Sequence, residues 1–503
     1  MAGSSRPSLP WPSPPGATAP GLRAVAGAAA KRPRDSTISR VSGPTVLIMA
    51  AGEGTRMRSS LPKVLHPICG RPMIAWPVIA AREAGAERVA VIVSPERSLD
   101  GALPEWAETV VQPEPDGTGG AVRAALALIR EAETVVVLNG DHPLVSAEAI
   151  RELLEAHRAS GAAATVMSVE RDDPEGLGRI VRAPDGGFER IVETKHPEGV
   201  PPEVLAIREV NTNQFAFDAR ALADALGRLE NLNAAREYYI GDVLPLIREA
   251  GGRVAVHRSD DVSVNIGVNN RAELARAAAI ARRRILERHM LAGVTITDPE
   301  ATWIDADVEI EPDATIEPGT ALRGATRVGA GSVVGPHSTL VDVTVGRGVT
   351  VVHSYLAECE VADGCAIGPF AYLRPGAALE EGAKAGTFVE IKNSRIGAGA
   401  KVPHLAYVGD AEVGAGANLG AGTITANYDG YRKHRTKIGQ RARIGVDTSL
   451  VAPVTVGDEA YTGAGAVIRK DVPPGALAVT RAEQRNIEGY AARKAEEHAD
   501  GDA

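Results

Sequence analysis

Cysteine is scarce: Cys69, Cys359 and Cys365 are the three among 503 residues. An odd count with no CxxC pair suggests neither a disulfide framework nor a thiolate metal site, and fits a reducing cytoplasm. Long apolar runs are missing as well. No uninterrupted stretch reaches membrane-spanning length, so no transmembrane segment is expected. Net positive charge is also absent, the formal charge being -9 and the pI about 5.8. A nucleic-acid partner is excluded on that ground, and any phosphate-bearing ligand must be held by local features.

What is present is enough chain, 24% charged and 44% hydrophobic, for several hydrophobic cores, hence two or three domains. Residues 1–43 are rich in Pro, Ser, Gly and Ala and lack the ordered regions of a secretory signal. They read as a disordered extension, or as a start codon assigned too far upstream. From residue 45 short apolar runs, "TVLIMA" (45–50), "RVAVIVS" (88–94) and "TVVVLNGD" (134–141), alternate with helix-like segments near 73–84 and 119–130. That alternation predicts an α/β domain, a mostly parallel sheet covered by helices, whose ligands bind beyond the carboxyl ends of the strands.

The stretch "VLIMAAGEGTRMRSSLPK" (46–63) runs a buried strand into a glycine-rich turn and then into basic residues. Gly52 and Gly54 let backbone approach a ligand, with N–H groups free to meet phosphate oxygens, and Arg56 and Lys63 add positive charge. The spacing is neither a P-loop nor a Rossmann fingerprint, and by itself fits a structural turn equally well. Asp141, just past the valine strand, is placed either to bind Mg²⁺ with substrate phosphates or to cap a helix.

The segment resembles the LAAGxGTRM…LPK signature of sugar-phosphate nucleotidyltransferases. With "QPEPDGTGGA" (112–121), "GLGRIV" (176–181), "IVETK" (191–195), "REVNTN" (208–213) and "VNN" (268–270), the chain is similar to the GlmU family. These are bifunctional N-acetylglucosamine-1-phosphate uridylyltransferases and glucosamine-1-phosphate N-acetyltransferases, which supply peptidoglycan synthesis. The resemblance covers about residues 45 to 495. It implies that Ala50, Ala51, Gly52, Gly54 and Lys63 cradle UTP. Gln112, Gly117 and Thr118 would meet the uracil. Gly178, Glu193 and Asn211 would bind the amino-sugar, and Asn269 would join Asp141 on Mg²⁺. Arg56 and Lys63 would offset charge growing on the pyrophosphate. The chain departs from the family pattern at Gly120 (GTGHA becomes "GTGGA"), Asn213 (NTG becomes "NTN") and Gly241 (EYYLTD becomes "EYYIGD").

Past a helical segment (274–293) the pattern changes. Ile304, Ile310, Ile316, Leu322, Val328, Val334 and Leu340 stand six apart. A second phase runs from Val361 to Ile391 and a third from Ile438 to Ile468. Neither a helix nor a plain strand has that period; a hexapeptide β-helix does. The family resembled has a left-handed coil and is trimeric. The insertion "TITANYDGYRKHRTK" (423–437) breaks the repeat, and "KVPHLAYVGDAEVGAGANLGAGTITANYDG" (401–430) resembles the family's acetyltransferase signature.

That second resemblance makes His404 the general base taking a proton from the amine of glucosamine-1-phosphate, a task suited to an imidazole. It places Arg374, Lys392, Tyr407 and Lys433 on the sugar phosphate, Asn418 and Asn427 on the amino-sugar beside Tyr428, and acetyl-CoA against Ala421, Ala464 and Arg481, with Asn427 and Tyr428 at its edge. Val446 stands where the family has a serine touching the cofactor. The expected domains are 44–271 for uridylyl transfer, a linker helix 272–293, an acetyltransferase β-helix 294–482 and a tail 483–503. Two rivals stand: a single-activity nucleotidyltransferase with a purely structural β-helix, and a scaffold that merely binds a nucleotide sugar.

Overall fold

The computed structural model describes residues 43–499 except 53, 97–98, 100, 195–196, 232–235 and 481–483. The expected extension (Gly43 apart) and Arg481 therefore lie outside the described residues.

Among the described residues eleven strands precede the β-helix: β1 (Thr45–Met49), β2 (Pro67–Ile68), β3 (Arg71–Pro72), β4 (Arg88–Val93), β5 (Glu108–Val111), β6 (Thr134–Asn139), β7 (Ala164–Glu170), β8 (Arg179–Arg182), β9 (Phe188–Val192), β10 (Glu209–Asp218) and β11 (Val254–Arg258). The main sheet runs β11-β7-β10-β6-β1-β4-β5, with β8 pairing β10 and β9. Its β6-β1-β4-β5 half is parallel, while β10 runs antiparallel to β6 and β7. The Val/Ile runs of β1, β4 and β6 are buried on both faces. Such strands read as continuous apolar stretches because helices cover both sides. Among these are α1 (Ala75–Glu83), α2 (Thr118–Ala124), α3 (Leu126–Glu131) and α4 (Ala147–Ser160). Met49 pairs Ile92 and Asn139 at the strand ends, so the Gly52 turn and Asp141 emerge side by side.

The last helix before the β-helix spans Arg271–Leu291, beginning one residue and ending two residues before the expected linker. Its start is firmly capped. Asn270 Oδ1 accepts from the N–H groups of Ala272 and Glu273, and the Glu273 carboxylate accepts from Asn269 N–H at 2.6 Å and from the Asn270 amide. This reciprocal arrangement satisfies donors a helix start would otherwise leave bare. The helix packs into one continuous core with Ile68, Met73 and the first coils of the β-helix.

From Thr295 onward, short parallel strands stack into three sheets of 11, 10 and 9 strands. Ile304, Leu322 and Leu340 lie on one another along one face, as do Ile316 and Val334 on the next. The six-residue period is thus one face of a three-sided coil. The phase breaks have a simple cause. Between the buried residues Leu340 and Val345, Val351 and Leu356, Leu356 and Val361, Ile391 and Ile396, and Val408 and Val413, the step shortens to five. The second residue of each short step, namely Asp342, His353, Glu358, Asn393 and Asp410, has a positive φ between 44° and 54°. One fewer residue must turn the same corner, and a left-handed residue tightens it.

Candidate active sites

Two separate clusters gather side chains capable of chemistry. In the α/β domain, a cavity of about 570 Å³ opens beyond the ends of β1, β5 and β6 and is lined by Ala50, Ala51, Gly52, Lys63, Gln112, Gly117, Thr118 and Asp141. All eight were expected there from the sequence. Gly54, at φ +65°, turns the chain so that its α-carbon meets the Lys63 side chain; a Cβ would lie 2.5 Å from Lys63 Cβ. Lys63 Nζ donates to Asp141 Oδ2 at 2.6 Å and to Asn269 Oδ1 at 3.3 Å, and Arg56 Nη2 donates to the same Asn269 oxygen at 2.9 Å. Val268 N–H donates to the Asp141 carbonyl at 2.9 Å, so the capped helix start holds Asn269 against the strand end carrying Asp141. Burial pushes the Asp141 carboxyl up, but His142 and Lys63 outweigh it and hold the group below its usual range. Ser146, not Asp141, caps α4.

Two acceptor oxygens therefore converge on one cationic nitrogen. The Asp141 carboxylate, which lines the cavity, and the neighbouring Asn269 amide oxygen suit Mg²⁺, which takes few protein ligands and completes its shell with phosphate and water. Among the described residues no cluster of three or more His, Cys, Asp or Glu forms a fuller metal cage.

Gly178, Glu193 and Asn211 form a neighbouring group outside the cavity lining. Asn211 N–H donates to the Gly178 carbonyl at 2.8 Å, and Gly178 lies against the Glu193 carboxylate. Asn139, which lines the cavity, donates to the Asn213 carbonyl at 3.1 Å and links the two groups. Asn213 keeps a positive φ of 56°, tolerable for asparagine, and exchanges two hydrogen bonds with the Asn211 side chain. At Gly241 a Cβ would meet nothing within 4 Å, so the departure there leaves open space. At Gly120 the opposite holds, because a Cβ would overlap the Asp116 carboxylate.

In the β-helix the expected residues separate onto two corners. At one, the Asp410 N–H donates to the Lys392 carbonyl and the Thr436 N–H to the Asp410 carbonyl, and the insertion leaves and rejoins the coil. Here Arg374 pairs Glu390 at 2.7 Å. The buried Asp410 accepts from Asn393 Nδ2 at 2.6 Å and from Asn427 Nδ2 at 2.5 Å. Lys392 beside Lys433 lowers the latter's pKa, partly opposed by Asp410 and Tyr407. Like charges held together without a full set of counter-charges make a place for a dianion. Asp410, Asn393 and Glu390 were not anticipated, since nothing in their spacing marks them.

At the other corner, Gly422 N–H approaches the His404 carbonyl at 3.4 Å, Asp447 N–H donates to the Ala421 carbonyl at 2.7 Å, and Gly465 N–H to the Val446 carbonyl at 2.8 Å. His404, Ala421, Val446 and Ala464 thus follow one another down a single edge. Asn418 lies opposite Lys401 in the next coil, and Tyr428 is exposed on the insertion. Among the described residues no hydrogen bond or ion pair joins the His404 ring to the cationic cluster. The two stand at either end of the strand Tyr407–Gly409.

Comparison with known proteins gives the family. The MobA-like NTP transferase domain family matches residues 46–241. A protein named "Bifunctional protein GlmU" from Kineococcus radiotolerans is 50% identical over 457 residues, covering 89% of this chain and 92% of that protein. The chain belongs to the GlmU family. Members from Streptomyces avermitilis and Mycobacterium bovis, with the same name, are 48% and 47% identical over 91% and 89% of this chain, and 96% and 92% of their own length. This GlmU-family chain is accordingly a bifunctional transferase, with acetyltransferase and uridylyltransferase activities on one polypeptide. A single-activity reading with a purely structural β-helix is therefore not favoured. None of its described helices is long and apolar enough to cross a membrane.

Proposed function

We propose that the β-helix acetylates glucosamine-1-phosphate from acetyl-CoA and that the α/β domain then couples the N-acetylated sugar phosphate to UTP. The products are UDP-N-acetylglucosamine and pyrophosphate, which would feed peptidoglycan synthesis. The observation carrying this reading is the convergence of Lys63, Arg56, Asp141 and Asn269 beside a cavity of about 570 Å³ that Lys63 and Asp141 line, with a second cationic cluster on the β-helix.

In the uridylyl site a sugar-phosphate oxygen attacks the α-phosphorus of UTP and the bond to the β-phosphate oxygen breaks. Arg56 and Lys63 face the oxygens on which negative charge grows, and the glycine turn holds the chain of phosphates in line. Mg²⁺, bound by Asp141 and Asn269, would supply further charge neutralisation there. Gln112, Gly117 and Thr118 hold the uracil, while Gly178, Glu193 and Asn211 hold the sugar.

In the acetyl site Arg374, Lys392, Tyr407 and Lys433 bind the sugar phosphate, with Asn418 and Asn427 beside the sugar. His404 accepts the proton of the amine as its nitrogen attacks the thioester carbonyl, and CoA leaves as the thiol. The edge Ala421–Val446–Ala464, with Arg481, lies along the cofactor. His404 and the cationic cluster sit at different corners of one chain, so a homotrimer with sites shared between copies is the arrangement that completes them.

Purified full-length protein supplied with glucosamine-1-phosphate, acetyl-CoA, UTP and Mg²⁺ tests the reading by following CoA and pyrophosphate separately. His404→Ala should abolish CoA release yet still release pyrophosphate when N-acetylglucosamine-1-phosphate is supplied. Pyrophosphate without any CoA from the unaltered protein would defeat the two-site assignment.

A further inference from the structure

The uridylyl cavity contains an arrangement that the general chemistry of a nucleotidyltransferase does not require. Gln112 is almost wholly buried, at 4% exposure. Its Nε2 donates to Asp116 Oδ1 at 2.8 Å and to the Gly117 carbonyl at 3.2 Å. Both partners are acceptors, so the nitrogen must face them, and the polar atom left to meet a ligand is Oε1. Asp116 is itself fixed. Its other oxygen pairs Arg123 at 3.0 Å, Arg123 lies over the Tyr238 ring at 4.1 Å, and Tyr238 N–H donates back to the Asp116 carbonyl at 2.7 Å. The carboxylate occupies the volume a side chain at position 120 would need. Gly120 and Asp116 therefore act as a pair.

We infer that Asp116, seated in the space left by Gly120, is the positioning residue that sets base selectivity in the uridylyl site by locking the Gln112 amide with its oxygen toward the base. This rests on the reading above that Gln112 meets the pyrimidine. Uracil presents an N3–H donor, which a carbonyl oxygen can accept. Cytosine presents a bare N3 acceptor at the same place, and two facing acceptors repel. An amide held in one orientation separates UTP from CTP; a freely flipping amide would not, because the same side chain then offers either a donor or an acceptor.

Asp116→Asn supplies the test, being nearly isosteric. Arg123 offers only donors, so the Asn oxygen turns toward Arg123 and its NH2 toward Gln112. Gln112 is then pulled two ways, its Oε1 drawn to the Asn NH2 while the Gly117 carbonyl at 3.2 Å still favours Nε2, so the amide is no longer held in one orientation and can present Nε2 to the base. Gly120→Ala is a second route, because its Cβ displaces the carboxylate without altering residue 116. The measurement is pyrophosphate release from UTP and from CTP with N-acetylglucosamine-1-phosphate, reported as the ratio of kcat/KM, beside a thermal melt of each protein. The expected result is a fall in the UTP:CTP ratio of about tenfold or more in both variants, with a relative gain for CTP in Asp116→Asn. An unchanged ratio in folded variants, or equal losses with both nucleotides, overturns the proposal. Unaltered protein that releases no pyrophosphate from UTP overturns the uridylyl reading itself, which that arm reports independently of the variants.

Discussion

Lys63 Nζ stands 2.6 Å from Asp141 Oδ2, joining the loop after the first strand to the end of the sixth. The pair is one half of a relay. Asn269 takes a hydrogen bond from the same ammonium and another from Arg56, and the capped helix fixes Asn269 in turn. Four groups brought from three distant segments thereby share one electrostatic field, and a change in one is felt by the others.

Lys63→Ala should lower pyrophosphate release about 100- to 1000-fold, the range seen when one preorganised charge-stabilising donor is lost. CoA release should be unaffected if, as proposed, the acetyl site lies on the β-helix. Gly54→Ala should act in the same direction, because its Cβ would collide with Lys63 Cβ at 2.5 Å and its φ of +65° disfavours alanine. Steady-state assays of the two half-reactions distinguish this from general loss of fold, which would remove both.

Asp410→Asn should chiefly affect acetylation. Asparagine tolerates the left-handed backbone (φ 51°), but the acceptor holding the Asn393 and Asn427 amides loses its charge. Charge-assisted hydrogen bonds are about twice as strong as neutral ones, so the KM for glucosamine-1-phosphate should rise roughly tenfold. Pyrophosphate release from supplied N-acetylglucosamine-1-phosphate should hold. Equal loss in both assays would show Asp410 to be merely structural.

Acid should weaken the junction between the domains through His289. Burial, reinforced by Arg288, pushes this imidazole down to about 4, and Nε2 has no hydrogen-bond partner. The unfolded chain therefore binds the proton first. The contribution of the neutral ring is complete above about pH 6.5 and is lost as pH falls toward 4. Denaturant midpoints measured from pH 7 to 4.5 should decline, and His289→Leu should make the decline shallower. An identical slope in the variant would remove His289 as a cause.

All three thiols are buried. Burial raises Cys69 and Cys359 to about 12, and Cys365 is also raised. Since the thiolate is the reactive form, a thiol reagent at pH 8 should label none in native protein and three after unfolding. Rapid labelling of native protein would show that the core around them opens.

The sequence by itself determined the β-helix, because an inward position recurring every six residues can be satisfied by one face of a three-sided coil and by neither a helix nor a plain strand. It also marked the glycine turn with Arg56 and Lys63, and Asp141 past its strand, because those residues follow directly from short local patterns. Tertiary structure alone decided which of them share a field. Lys63, Asp141 and Asn269 are distant in the chain, and a capped helix with a mixed sheet brings them within hydrogen-bond reach. The same holds for Asp116 over Gly120 and for Asp410 between two asparagines. A carboxylate's part depends on what its oxygens face, and that is set by packing between segments that carry no mutual signal in sequence. His404 and Asp410, close along the chain, were parted by the strand between them onto different corners, because a turn of a β-helix sends neighbours in sequence to different edges.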